Sequence, residues 1–188
     1  MRRLLPGQAP RSVCMRNGSD AKRRKGGSLA DMCNDGGAGK SSGMVKQGIC
    51  GALSCTPIYA VEPQLSVEEF RRLLIDSGLG ERRPTDDPDR MEQMIKNANL
   101  VVTARIGGVL VGAARSITDF AFCCYLSDLA VFLDAQRQGI GEQLIRETRR
   151  HLSPSVSLIL SAVPEAVSFY ERINMPRLTD CFWYRREI

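Results

Sequence analysis

Asp128-Leu129-Ala130-Val131-Phe132-Leu133-Asp134-Ala135-Gln136-Arg137-Gln138-Gly139-Ile140-Gly141 reads as the end of a buried strand, a short loop, and a helix that begins at two glycines. The first turn of a helix carries free amides and partial positive charge, which together make it an anion site. Glycines there remove the Cβ atoms that would hold a phosphate away from the backbone. The stretch therefore predicts a phosphate or pyrophosphate site behind a strand, with Arg137 adding charge at its rim. It is not the dinucleotide fingerprint, which needs G-x-G-x-x-G.

Working outward, Gly139 to Leu152 is helical. Ile140, Leu144, Ile145, Thr148 and Leu152 share one face, opposite charged residues. His151, the one histidine, falls in the last turn of that helix, where a cation is favoured. Upstream, Phe120 to Leu133 is a long apolar run that suits a strand buried on both faces. Cys123 and Cys124 within it read as small core residues. Leu100 to Ile106 and Val109 to Ile117 are strand-like and are joined by Gly107-Gly108, which suits a tight turn of positive φ.

Ile58 to Val61 reads as a first strand. Ser66-Val67-Glu68-Glu69 is a capping box, with Leu65 and Phe70 as its staple. Phe70, Leu73 and Leu74 give that helix its apolar face. Asp87-Pro88 caps and opens a second helix burying Met91, Met94 and Ile95. Downstream, Val156 to Leu160 is a strand, Pro164 opens a last helix through Glu171, and Phe182-Trp183-Tyr184 is a final strand. Alternation of this kind predicts an α/β fold, a mixed sheet covered by helices.

The chain has 188 residues, 43% of them apolar, and a net charge of +5. Residues 1–55 hold 10 of the 17 glycines, no aromatic residue and a net charge of +7. A segment without large apolar groups cannot offset its ordering entropy. Two regions are expected: a disordered, basic, Gly-rich leader over 1–55 and a folded domain over 56–188. Met44 is a candidate true start, which would leave 1–43 outside the native protein.

Asn34 to Ser41 nearly matches a phosphate-binding loop, but Asn34 stands where the first glycine belongs and no strand precedes it. Lys22 to Lys25 reads as solvated charge, so nucleic acid is not an expected partner. No stretch approaches the ~18 apolar residues of a membrane span, and no membrane association is expected. The seven cysteines include no Cys-x-x-Cys pair. Reduced thiols, no metal site and a cytoplasmic location are therefore expected.

Gln136, Gly139 and Gly141 behind a Leu-Ala-Val strand resemble the acetyl-CoA signature [QR]-x-x-G-x-[GA] of the GNAT superfamily of N-acetyltransferases. Phe169-Tyr170-Glu171-Arg172-Ile173-Asn174-Met175 resembles a second motif of that family, F-Y-E-K-L-G-F. The resemblance spans roughly Ile58 to Ile188. It implies a mixed, mostly antiparallel sheet of six to seven strands flanked by about four helices. It implies acetyl-CoA as co-substrate and an amine acceptor whose identity is not legible; a homodimer is left open.

The resemblance also implies roles. Amides of Gln138, Gly139, Ile140, Gly141 and Glu142 hold the pyrophosphate. Main-chain groups of Leu129 and Val131 bind the pantetheine arm, and an amide near Ala130 stabilises the oxyanion. Tyr170 protonates the departing thiolate. Tyr125 stands where some members carry a Glu base, which leaves water or a carboxylate, Asp119 or Asp128, to take the amine proton. The alternative reading is a CoA-binding sensor or interaction module with impaired catalysis.

Overall fold

The computed structural model describes residues 56–187, so the leader and its motifs lie outside the described residues. The elements run β1 (Ile58–Val61), α1 (Val67–Asp76), α2 (Pro88–Lys96), β2 (Leu100–Ile106), β3 (Val109–Thr118), β4 (Cys123–Val131), α3 (Ile140–Arg150), β5 (Ser157–Ile159) and α4 (Val167–Arg172). The sheet order is β1-β2-β3-β4-β5. The first three pairings are antiparallel, whereas β4 and β5 are parallel. A parallel neighbour needs a crossover, and α3 supplies it.

The helix starts follow the sequence reading. Ser66 accepts a hydrogen bond from the Glu69 amide (3.4 Å), and Asp87 accepts from the Arg90 amide (3.0 Å). Half of the expected capping box is replaced, because the Glu69 carboxylate turns to Arg105 (2.7 Å) and joins the Arg105–Glu62 pair (2.8 Å). Leu65, Phe70, Leu73, Leu74, Met91 and Ile95 are buried in one cluster. Each such side chain contributes about 1.5–3 kcal/mol of burial.

Consecutive residues of β3 separate the two layers, since neighbours on a strand point to opposite faces. Ala113 joins the cluster under α1 and α2. Gly112 lies under α3, where an added Cβ would sit 3.0 Å from Leu144 Cδ1 and 3.2 Å from Ile140 Cγ2.

Two expectations are corrected. The Phe120–Leu133 run is not one strand buried on both faces. Phe120 to Phe122 form a turn, and β4 alternates, with Cys124, Leu126, Asp128 and Ala130 buried and Cys123 and Tyr125 exposed. The final strand does not form: Phe182 and Tyr184 are 96% and 102% exposed, outside any strand. Three aromatics in a row lack the period-two alternation of a half-buried strand, and β5 offers only three residues to pair with. The described sheet has five strands against the six to seven expected.

Candidate active site

The loop from β4 to α3 is built by its glutamines. Gln136 Nε2 donates to the Val131 carbonyl (3.0 Å), and Gln138 Nε2 donates to the Asp134 carbonyl (3.0 Å). Two left-handed residues, Arg137 (φ 62°) and Gly139 (φ 82°), then turn the chain into α3. No side chain caps this helix. Its ladder starts with the Gln143 amide on the Gly139 carbonyl (3.0 Å). Among the described residues, the amides of Gly139, Ile140, Gly141 and Glu142 meet no protein acceptor, whereas Gln138 closes the preceding turn. Glu142 engages Arg146 instead of the turn (2.5 Å).

The unengaged amides lie beside an unpaired strand edge. β4 and β5 pair only at Cys123–Ser157, Cys124–Leu158 and Tyr125–Ile159. From Leu126 to Val131, β4 has a described neighbour on its β3 side alone. The Phe132 amide donates to the Val111 carbonyl (2.9 Å), which sets the phase of the β3–β4 ladder. Bonded and non-bonded partners alternate in an antiparallel pair. Ala130 therefore bonds Ala113, whereas Leu129 and Val131 turn their main-chain groups to the open side. The Val131 carbonyl, taken by Gln136, agrees with this phase. The Ala130 N–H is spent on the sheet, and the neighbouring Leu129 amide is the one turned to the open side.

α4 brings the second sequence motif to the first. A Cβ on Gly141 would lie 3.4 Å from the Phe169 ring and 3.7 Å from Val131 Cγ2. Tyr170 packs edge-on against Phe169, with centroids 5.0 Å apart. Burial raises the Tyr170 hydroxyl above the ordinary phenol range, because the charged form is the one desolvated.

The carboxylates weighed as bases are both committed. Asp128 is fully buried. One oxygen accepts from Arg83 Nε and the other from Arg115 Nε (2.5 Å). Arg83 Nη2 also donates to the Ser127 carbonyl (2.9 Å), and Arg115 Nη2 to Ser127 Oγ (2.7 Å). No surface of Asp128 is left for a substrate amine. Asp119 Oδ1 accepts from the amides of Ala121, Phe122 and Cys123 at 2.9, 2.8 and 3.0 Å. Those three donors hold its carboxyl down at about 2. His151 closes the far end of α3. Arg83 and Arg115, which organise this region, carry no motif; their signal in sequence is only that Arg115 interrupts an apolar strand.

A family model described as an acetyltransferase (GNAT) domain matches residues 80–174. The chain belongs to the GNAT acetyltransferase family. A curated relative, "Uncharacterized N-acetyltransferase ycf52" of Pyropia yezoensis, is 29% identical in an alignment 104 positions long that covers 49% of this chain and 59% of that protein. Among solved structures, the GNAT family protein SP0256 from Streptococcus pneumoniae TIGR4 is similar with a TM-score of 0.55 and 22% identity, over 70% of this chain and 99% of that one. AAC(6′)-Iy, solved in complex with the bisubstrate analogue CoA-S-monomethyl-acetylneamine, is similar with a TM-score of 0.53 and 14% identity, over 70% and 99%. These likenesses establish the GNAT fold for the described sheet and helices. The first motif, β5 and the second motif as far as Asn174 fall within the matched region. Among the described residues no helix is long and apolar enough to cross a membrane.

Proposed function

We propose that this chain is an acetyl-CoA-dependent N-acetyltransferase that acetylates a primary amine by direct attack, with both substrates bound. The observation that carries the reading is the first turn of α3: four consecutive amides without a protein acceptor, behind a strand edge that has no partner among the described residues. Gly139 to Glu142 would hold the pyrophosphate, and Leu129 and Val131 the pantetheine amides. Bound acetyl-CoA supplies the acyl group as an activated thioester. Holding both reactants in one cleft replaces a bimolecular encounter with an effectively unimolecular step.

The Leu129 amide, turned to the open side, would stabilise the developing oxyanion. Tyr170, kept neutral by burial, would give its proton to the departing thiolate sulfur. With Asp119 and Asp128 both committed, the amine proton would leave through water. Asp128 would serve as a positioning residue that holds Arg83 and Arg115 at the Ser127 carbonyl and hydroxyl. A cytoplasmic location belongs to the same proposal.

The commitment of both carboxylates also favours a second reading, a CoA-binding sensor that has lost turnover. Melting with and without acetyl-CoA tests binding. At a hundred times its dissociation constant the ligand adds about 2.7 kcal/mol, which for a folded unit of this size raises Tm by about 8–10 °C. Thiol release with an amine panel then separates enzyme from sensor. A melting point unmoved by acetyl-CoA removes both readings.

A further inference from the structure

The sheet presents a row of uncovered apolar side chains beside the proposed site. Ile117 on β3 pairs with Tyr125 on β4, and Tyr125 pairs with Ile159 on β5. Cross-strand partners share a face. All three are exposed, at 48%, 46% and 39%.

Arg115 identifies that face. It lies two residues from Ile117 on β3, so both point the same way. Its Nη1 donates to the Met94 carbonyl of α2 (3.1 Å). The row therefore lies on the α1–α2 side, one ladder repeat, about 7 Å, from the Arg115–Asp128 pair. α3 lies on the other face, over Gly112. A co-substrate anchored on α3 and running along the open edge of β4 would bring its acyl end to Ser127, beside this row.

Around the row, most charged groups are drawn into contacts within the protein. Asp128 faces two guanidinium groups and leaves that cluster net positive. Asp119 is taken by three amides, and Asp87 caps α2. Arg82 pairs with Glu165 (3.5 Å) across from Arg83. Glu81 and Asp86 are the exposed acids left on the α1–α2 connection.

We infer that the acceptor is a small amine carried on an apolar body, seated on the Ile117–Tyr125–Ile159 row with Tyr125 as its ring platform, and not an oligocation. This rests on the transferase reading. The test uses the full chain with acetyl-CoA and three acceptors: phenethylamine, spermidine and kanamycin. Thiol release should give a kcat/KM for phenethylamine at least about tenfold above either oligocation, the order of discrimination an apolar pocket provides. Tyr125→Ser should raise the phenethylamine KM about tenfold while leaving the acetyl-CoA KM unchanged, and Tyr125→Phe should retain wild-type values.

Preference for spermidine or kanamycin overturns the inference. So does an unchanged phenethylamine KM in Tyr125→Ser, or a peptide with an apolar N-terminal residue outrunning phenethylamine tenfold. Dissociation of a dimer by Tyr125→Ser with phenethylamine binding intact would assign the row to a subunit contact and also overturn it. If no amine releases thiol, the transferase reading fails separately. Calorimetric binding of phenethylamine to wild type and Tyr125→Ser then decides the inference alone, and absent or equal binding rejects it.

Discussion

Asp128→Ala should be among the most destabilising single substitutions in the domain. The Asp128 carboxylate has no exposed side-chain surface and sits between guanidinium groups whose own side chains are 5% (Arg115) and 20% (Arg83) exposed. Removing one partner of a buried ion pair leaves an uncompensated charge and costs about 3–5 kcal/mol. Arg83, at the loop, can turn its head group to water, whereas Arg115 cannot, so one stranded cation sets the cost at about 3–4 kcal/mol. At about 3–4 °C per kcal/mol for a unit of this size, Tm should fall by roughly 10–15 °C.

Circular dichroism melts of wild type, Asp128→Ala and the paired replacement Asp128→Leu/Arg115→Met provide the assay. The paired replacement removes the stranded charge along with its partner and should recover most of the loss, since apolar substitutes for buried ion pairs are often neutral. A drop of less than about 3 °C in Asp128→Ala, accompanied by loss of turnover, would refute the reasoning and make Asp128 a proton acceptor after all.

Gly139→Ala places a Cβ in open space but at φ 82°, so the cost is conformational. About 1–2 kcal/mol is expected, read as a lower urea midpoint with an unchanged slope. Tyr170→Phe should cut kcat about a hundredfold while the melting shift with acetyl-CoA persists. Because burial raises its pKa, the alkaline limb of kcat in wild type should begin above about pH 10 and vanish in the variant. Asp119 has its folded-state pKa lowered to about 2, so its contribution to stability is present above the unfolded value near 4 and is lost as pH falls through that window. Asp119→Asn should flatten the acid-unfolding curve between about pH 4 and 2; an unchanged curve counts against the three-amide arrangement.

Much of the fold was legible because its signals are local. Ser66, Asp87 and Pro88 mark helix starts that the structure keeps, and the five described strands coincide with apolar runs between turn residues. Gly139 and Gly141 announced a bare helix start, and the amides there meet no protein acceptor. What was not legible depends on distant partners. Arg83 reaches Asp128 across 45 positions, and nothing near either residue signals that encounter. The exposed side of β4 was hidden in the same way: Phe120 to Leu133 is apolar apart from Ser127 and Asp128, and composition does not distinguish a covered face from one left open. The ladder phase that turns Leu129 rather than Ala130 to the open side is set by a hydrogen bond, not by a sequence pattern.

On β3, Arg115 pairs with Asp128 and Ser116 with Leu126, so Ser127 is one residue in excess. A single extra residue reverses the inward–outward alternation. Leu126 accordingly faces the α3 layer and Asp128 the α1–α2 layer, although they are two apart. Deleting Ser127 would rotate one half of β4 by a face, driving the carboxylate under α3 or lifting Leu126 out of it. An exchange of the Ser127 side chain costs one bond to Arg115, whereas a change in the strand's length there costs the alternation itself.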